Sequence, residues 1–178
     1  MAEIGDTPER PDTGLSAPVP LTAAHDVSGF DCGEPSLNDW LRHRALKNES
    51  RFSRTYVVCE GYRVVAFFCI SAGSVERGAA PGKVRRNAPD TIPVSVIGRL
   101  AVDRDHAGKG LGADILSDAL RRIAIASQSI GIAAVLVHAK DEAAKRFYLR
   151  CAEFIAYPED GRTLFLPIET VVAAFGET

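Results

Sequence analysis

The chain has 178 residues, 46% of them hydrophobic and 25% charged, which suits one globular domain and is too short for two full ones. Its formal charge of −2, from 21 Lys and Arg against 23 Asp and Glu, excludes a uniformly basic nucleic-acid binder. By segment the picture changes: residues 1–39 carry eight acids and one base, net −7, whereas residues 40–109 carry 13 bases and six acids, net +7.

Residues 1–18, rich in Pro, Asp and Thr, read as a mobile acidic tail, leaving residues 19–178 as the folded domain. The start is acidic and lacks the apolar stretch of a signal peptide. No apolar stretch reaches the roughly 18 residues of a spanning helix, so no membrane role is expected. Cys32, Cys59, Cys69 and Cys151 form no CxxC pair, which points to reduced thiols in a cytoplasmic protein. The four histidines have no metal-ligand spacing, and no metal is assigned.

In chain order, Val19–Ala23 suggests a short strand, and Phe30-Asp31-Cys32-Gly33-Glu34-Pro35 a turn. Ser36 is placed to cap a helix through Trp40, Leu41, Leu46 and Lys47. Thr55–Glu60 and Arg63–Ala72 are β-rich about Gly61-Tyr62, a hairpin signal that sets Cys59 opposite Val64. Residues 76–93 read as a Gly, Pro and Arg loop. Val94–Val102 reads as a strand whose Gly98 marks a bulge or a close backbone approach. Leu111 to Ala124 repeats apolar residues at helical spacing. Ile130–His138 is a buried-type strand, Asp141 caps a helix carrying Phe147 and Tyr148, Thr163–Leu166 is a last strand, and Ile168–Phe175 a last helix. This is a mixed α/β order with antiparallel strands in its first half.

The stretch from Val102 to Gly112, with Gly108, Gly110 and Gly112 before a helix, suits a phosphate or pyrophosphate cradle. A P-loop does not fit: Lys109 is followed by Gly110, without the magnesium-binding hydroxyl, and Asp103 stands where the opening glycine belongs. A dinucleotide-binding loop is matched by Gly108, Gly110 and Ala113, but five residues separate these glycines from the strand and the acidic ribose ligand is absent.

RLAVDRDHAGKGLG, followed by a long helix, a strand and KDEAAKRFYLRCAEF, resembles the GNAT acetyltransferases. The resemblance implies one GNAT domain with a mixed β-sheet flanked by helices, and acetyl-CoA as cosubstrate. It implies that the backbone N–H groups of Gly108, Lys109, Gly110, Leu111 and Gly112 hold the pyrophosphate. Leu100, Ala101 and Val102 would bond the pantetheine arm like an added strand. Ala107 stands where the family motif begins with Arg or Gln. FDCGEPSLNDWL, ALKNESRFSRTYVV, RLAVD and FYLRCAEF together resemble the GNAT toxins of type II toxin–antitoxin pairs, over roughly residues 19–175. That implies acetylation of the α-amino group of aminoacyl-tRNA, a block of translation, a ribbon-helix-helix antitoxin and a homodimer.

A terminal α-amino group has a pKa of about 7.7 to 8.0, so a useful fraction is neutral without a strong base. The family alignment implies Tyr148 as the acid that protonates the leaving thiolate; the alternative is a core aromatic beside Phe147. Arg42, Arg44, Lys47, Arg51, Arg85 and Arg86 are the tRNA candidates, against the alternative of solvated charged faces. Acetylation of a small-molecule or protein amine, and an acyl-CoA-binding module without turnover, are the competing functions.

Overall fold

The computed structural model describes residues 14–176. Strands β1 (Val19–Pro20), β2 (Arg54–Glu60), β3 (Arg63–Glu76), β4 (Thr91–Val102), β5 (Ala134–His138), β6 (Ile155–Ala156) and β7 (Thr163–Pro167) form one sheet in the order β1-β2-β3-β4-β5-β7-β6. Only β4 and β5 pair in parallel. The helices are α1 (Pro35–His43), α2 (Ala45–Asn48), α3 (Gly82–Arg85), α4 (Leu111–Ala126), α5 (Glu142–Cys151) and α6 (Ile168–Phe175).

Alternation along β3 sends consecutive side chains to opposite faces. Phe68 joins one core with Ile115, Leu116, Leu120 and Ile123 of α4 and Val171 of α6. Phe67 joins a second core with Phe30, Trp40 and Leu41. A third, under α3, gathers Ala80, Val84, Ile92 and Phe165. Full burial of such side chains contributes about 1.5–3 kcal/mol each, so α4 and α1 clamp the sheet from opposite sides.

Much of the expected order is observed. Cys59 pairs with Val64 across the Gly61 turn, all four cysteines are free thiols, and the Asp141 carboxylate caps α5 by accepting Ala144 N–H at 2.8 Å. Four local expectations change. The expected strand Ile130–His138 begins only at Ala134, with Ile130 and Gly131 exposed before it. Ser36 does not cap α1: the helix begins at Pro35 with Glu34 as its cap residue, and the turn before it is held by Asn38, whose Oδ1 accepts Cys32 N–H at 2.9 Å. Asn38 also donates to Asp31 Oδ1 at 3.0 Å. The helix is broken at Arg44, and Ala45–Asn48 forms a separate turn, α2. The 76–93 loop contains a 3-10 turn at Arg77–Ala79 and α3, because Ala80 and Val84 bury against Phe165.

Of the expected tail, residues 1–13 lie outside the described residues, while Leu15 bridges Glu60 and Ser16 N–H donates to Cys59 carbonyl at 2.8 Å. Residues 14–18 are thus attached to the sheet edge.

Candidate functional site

Two adjustments of β4 build the site. First, β4 pairs with β5 only from Val94↔Ala134 to Ile97↔Val137, but continues along β3 to Val102. Beyond Ile97 its other edge is open. Second, Cys69 pairs with Arg99 and Ile70 with Ile97, so Gly98 is the extra residue of a bulge. The bulge reverses which face each later residue meets. Ile97 faces the α4 core; after it, Leu100 and Val102 return to that core, while Arg99 and Ala101 face the Phe30–Trp40–Phe67 side. A Cβ at position 98 would lie 3.3 Å from Cys69 Sγ, so glycine fits the close approach.

Along the open edge runs a groove of about 220 Å³ lined by Cys32, Leu37, Leu100, Ala101, Val102, Gly112, Lys140 and Phe147. An ion pair at 3.2 Å between Lys140 and Glu34 joins the loop after β5 to the start of α1, on either side of it.

The groove leads to the glycine loop. Gly108 and Gly110 have φ of +76° and +83°, with open space where a Cβ would stand. Gly110 is the left-handed cap residue of α4. The backbone N–H groups from Gly108 to Ala113 have no hydrogen-bond partner among the described residues. A run of free donors at the positive end of a 16-residue helix is an anion site. Lys109 is exposed there. Ala107 N–H, by contrast, donates to Arg104 carbonyl at 3.3 Å, so it is used inside the loop and not in the donor run. Gly112 packs against Phe147, whose ring carbon would lie 3.4 Å from an added Cβ.

Below the loop, buried Asp103 accepts the N–H groups of Asp31 at 3.1 Å and Asp105 at 3.0 Å, and pairs with Arg63 at 3.6 Å. Asp31 in turn pairs with Arg104. The Gly33 backbone N–H, Arg104 and Asn38 hold the Asp31 carboxyl down at about 2. The FDCGEP turn and the glycine loop are therefore one braced unit, a link that sequence reading missed because its partners lie far apart in the chain.

Tyr148, on α5, is 8% exposed and stacks edge-on with Phe147 and Phe154. Its hydroxyl has no hydrogen-bond partner among the described residues. Burial, with smaller effects of Cys151 and Cys69, pushes its pKa up to about 12. The phenol is therefore neutral at physiological pH.

The basic candidates divide. Arg42 is turned inward: its guanidinium donates to Phe30 carbonyl and lies 3.9 Å from Asp39, so it braces the turn before α1. Arg44 and Lys47 are exposed around α2, and Arg51 is exposed with its guanidinium 5.3 Å from the Phe52 ring centre. Arg85 and Arg86 are exposed at the end of α3. None of these five has an ion-pair partner among the described residues.

Arg99, not singled out from sequence, is partly buried with its guanidinium 4.2 Å from the Trp40 ring centre. On its face of the sheet, a further cavity of about 630 Å³ is lined by Val94, Val96, Leu136, His138, Tyr157 and Phe165 among others. Among the described residues no group of three or more His, Cys, Asp or Glu gathers as a metal site, and no helix is long and apolar enough to cross a membrane.

Comparison with known proteins adds to this geometry. A tRNA-acetylating toxin of Mycobacterium tuberculosis is 45% identical over 166 residues, covering 93% of this chain and 99% of the toxin. A tyrosine-to-phenylalanine variant of KacT matches with a TM-score of 0.84 and 29% identity, over 90% of this chain and 99% of KacT. AtaT complexed with acetyl-methionyl-tRNAfMet matches with a TM-score of 0.81 and 30% identity, over 90% and 99%. Two further AtaT structures, with TM-scores of 0.77 and 0.73 and 29% identity, contain the C-terminus of the antitoxin AtaR with acetyl-CoA, and the AtaT–AtaR complex bound to DNA; they cover 92% and 90% of this chain and 99% of each AtaT chain. Residues 21–154 match the acetyltransferase (GNAT) family, and the chain belongs to it.

Proposed function

We propose that this acetyltransferase is a toxin that moves an acetyl group from acetyl-CoA to the α-amino group of aminoacyl-tRNA, and so blocks translation. The observation that carries the reading is the open edge of β4 leading into the free N–H run at Gly108 to Ala113. That run fits a pyrophosphate, and the Leu100–Val102 edge fits an extended amide-bearing arm. Acetyl-CoA, when bound, supplies a thioester activated for attack by an amine.

The chain's own residues do the rest. Gly108, Gly110, Leu111 and Gly112 offer backbone donors, Lys109 adds charge, and Leu100, Ala101 and Val102 offer backbone groups along the groove. The bulge at Gly98 sets Arg99 opposite Cys69 at the end of the β4–β5 pairing, and Tyr148 stands on α5, the helix that follows β5. The Tyr148 hydroxyl donates its proton to the departing thiolate; a phenol held near 12 keeps that proton until the thiolate needs it. An α-amino group needs no strong base, which suits a site where no carboxylate among the described residues bonds the Tyr148 hydroxyl.

Arg44, Lys47, Arg51, Arg85 and Arg86 form the tRNA surface. Their support is exposure without ion-pair partners and the acidic substrate they would meet. The partner is a ribbon-helix-helix antitoxin, a reading supported by the AtaT–AtaR complex bound to DNA. The toxin acts in the cytoplasm as a homodimer.

Incubation with acetyl-CoA and mixed charged tRNA, followed by identification of N-acetyl-aminoacyl-tRNA, tests the function. Acetylation of a small free amine or a protein with none on charged tRNA overturns it.

A further inference from the structure

We infer that Arg99 is the binding residue for the phosphodiester next to the aminoacylated nucleoside of the acceptor, held ready by Trp40. The inference rests on charged tRNA being the acceptor.

Three observations place Arg99. It follows Gly98 and Ile97, where β4 parts from β5, so it stands where the groove opens toward the acceptor face. The bulge decides its direction: strict alternation from Ile97 would turn residue 99 into the α4 core, and the extra residue turns it to the opposite face. Finally, Arg99 is directly opposite Cys69 in the β3–β4 register, on the face of the sheet that carries Trp40 and Phe67. Arg99 therefore stands at the bulge, immediately before Leu100, where the groove lining begins.

Its chemistry points to an anion. The guanidinium is partly buried and 4.2 Å from the Trp40 ring centre, yet no carboxylate pairs with it among the described residues. The acids of the turn before α1, of α1 and of the end of β4, Asp31, Asp39 and Asp103, are paired with Arg104, Arg42 and Arg63. Taking a cation partly out of water without a counter-charge is unfavourable, and stacking on indole only partly offsets that cost. A phosphate would restore the balance through the two-pronged geometry that guanidinium offers.

Trp40 is itself fixed. It stacks 6.0 Å from Phe67, which packs edge-on with Phe30 at 5.4 Å. The FDCGEP turn and Asn38 set the angle of α1 that carries it. That turn thus has a purpose beyond packing: it delivers the platform on which Arg99 rests. Arg99 on this platform is pre-organised, so little side-chain freedom is lost when the phosphate arrives.

The test uses the full chain and two acceptors that differ by one group: a 3′-aminoacylamino-3′-deoxyadenosine, bearing the amino acid found by product trapping, with or without a 5′-phosphate. Wild type should acetylate the phosphorylated form with at least a tenfold higher kcat/KM, and Arg99→Gln should lose that preference while acetylating the unphosphorylated form as wild type does. Arg99→Lys should keep part of the preference, because a point charge lacks the fork. Acetyl-CoA affinity, unchanged in both variants, verifies the fold, and Arg99→Lys serves alone should Arg99→Gln fail to fold. A wild type indifferent to the 5′-phosphate, or an equal loss on both acceptors in a folded variant, overturns the inference while the toxin reading stands. Wild type inactive on charged tRNA overturns both.

Discussion

The Asp103 carboxylate accepts the backbone N–H of Asp31 at 3.1 Å, across 72 residues of sequence. This bond ties the turn before α1 to the base of the glycine loop. Asp103→Ala leaves the partly buried N–H groups of Asp31 and Asp105 without their acceptor and leaves Arg63 with Asp105 alone. An unsatisfied buried donor costs about 1–3 kcal/mol, so thermal unfolding should show a clear drop in Tm, and acetyl-CoA should bind more weakly because the loop loses its support.

Gly110 and Gly112 should respond differently to alanine. Gly110 has φ of +83°, and a left-handed residue with a Cβ costs about 1–2 kcal/mol. Gly110→Ala should lower both Tm and acetyl-CoA affinity. Gly112→Ala meets the Phe147 ring at 3.4 Å, an ordinary contact, and should fold as wild type does. Calorimetry on the two variants checks the contrast.

Tyr148→Phe should keep acetyl-CoA binding and the fold, since only a hydroxyl without a partner among the described residues is removed. Turnover should fall by about 10²–10⁴ if the phenol is the proton donor. The pH profile carries the sign. Activity should rise with pH as the substrate amine loses its proton, near about 7.7–8.0 for a terminal α-amino group. Tyr148, held near 12 by burial, should impose no alkaline fall below that value. A rate profile from neutral pH upward on wild type and variant reads both outcomes.

Charge reversal at Arg85 and Arg86 together should weaken acetylation of charged tRNA and flatten its salt dependence. Both side chains are exposed, so acetyl-CoA affinity and Tm should stay near wild type. Equal loss of tRNA acetylation and acetyl-CoA binding would assign the pair to the fold. Arg42, turned onto Phe30 carbonyl, should instead lower stability when replaced by alanine.

Asp31 links the turn to acid stability. Its carboxyl is held at about 2, first by Gly33 N–H and then by Arg104 and Asn38. A depressed carboxyl stabilises the fold above its unfolded pKa, and that contribution disappears as pH falls from about 4 to about 2. Asp31→Asn should therefore flatten the loss of Tm over that interval. A variant curve as steep as wild type would remove Asp31 from acid unfolding.

Local patterns carried much of this protein into view. The glycine spacing before an apolar helix, the hairpin about Gly61 and the Asp141 cap depend on neighbours within a few residues, where backbone sterics and capping chemistry act. The strand carrying Gly98 was visible too, with its bulge. Ser36 was misread as a cap because a serine before a helical run fits the local rule, whereas Asn38 wins by reaching back to Cys32 from inside the helix. Arg42, one basic residue among several, was read as part of a charged face, until the turn of α1 brought it onto Phe30 carbonyl.

The sequence by itself determined the family, because the glycine run and the motifs beside it are written in residues close together. Only the tertiary structure decided which cations are free and which are spent on bracing, and that one inserted residue at Gly98 turns Arg99 from the α4 core to Trp40. Strand alternation has a period of two, so a single extra residue reverses every side chain after it. The result becomes visible only when the partner strand supplies the register.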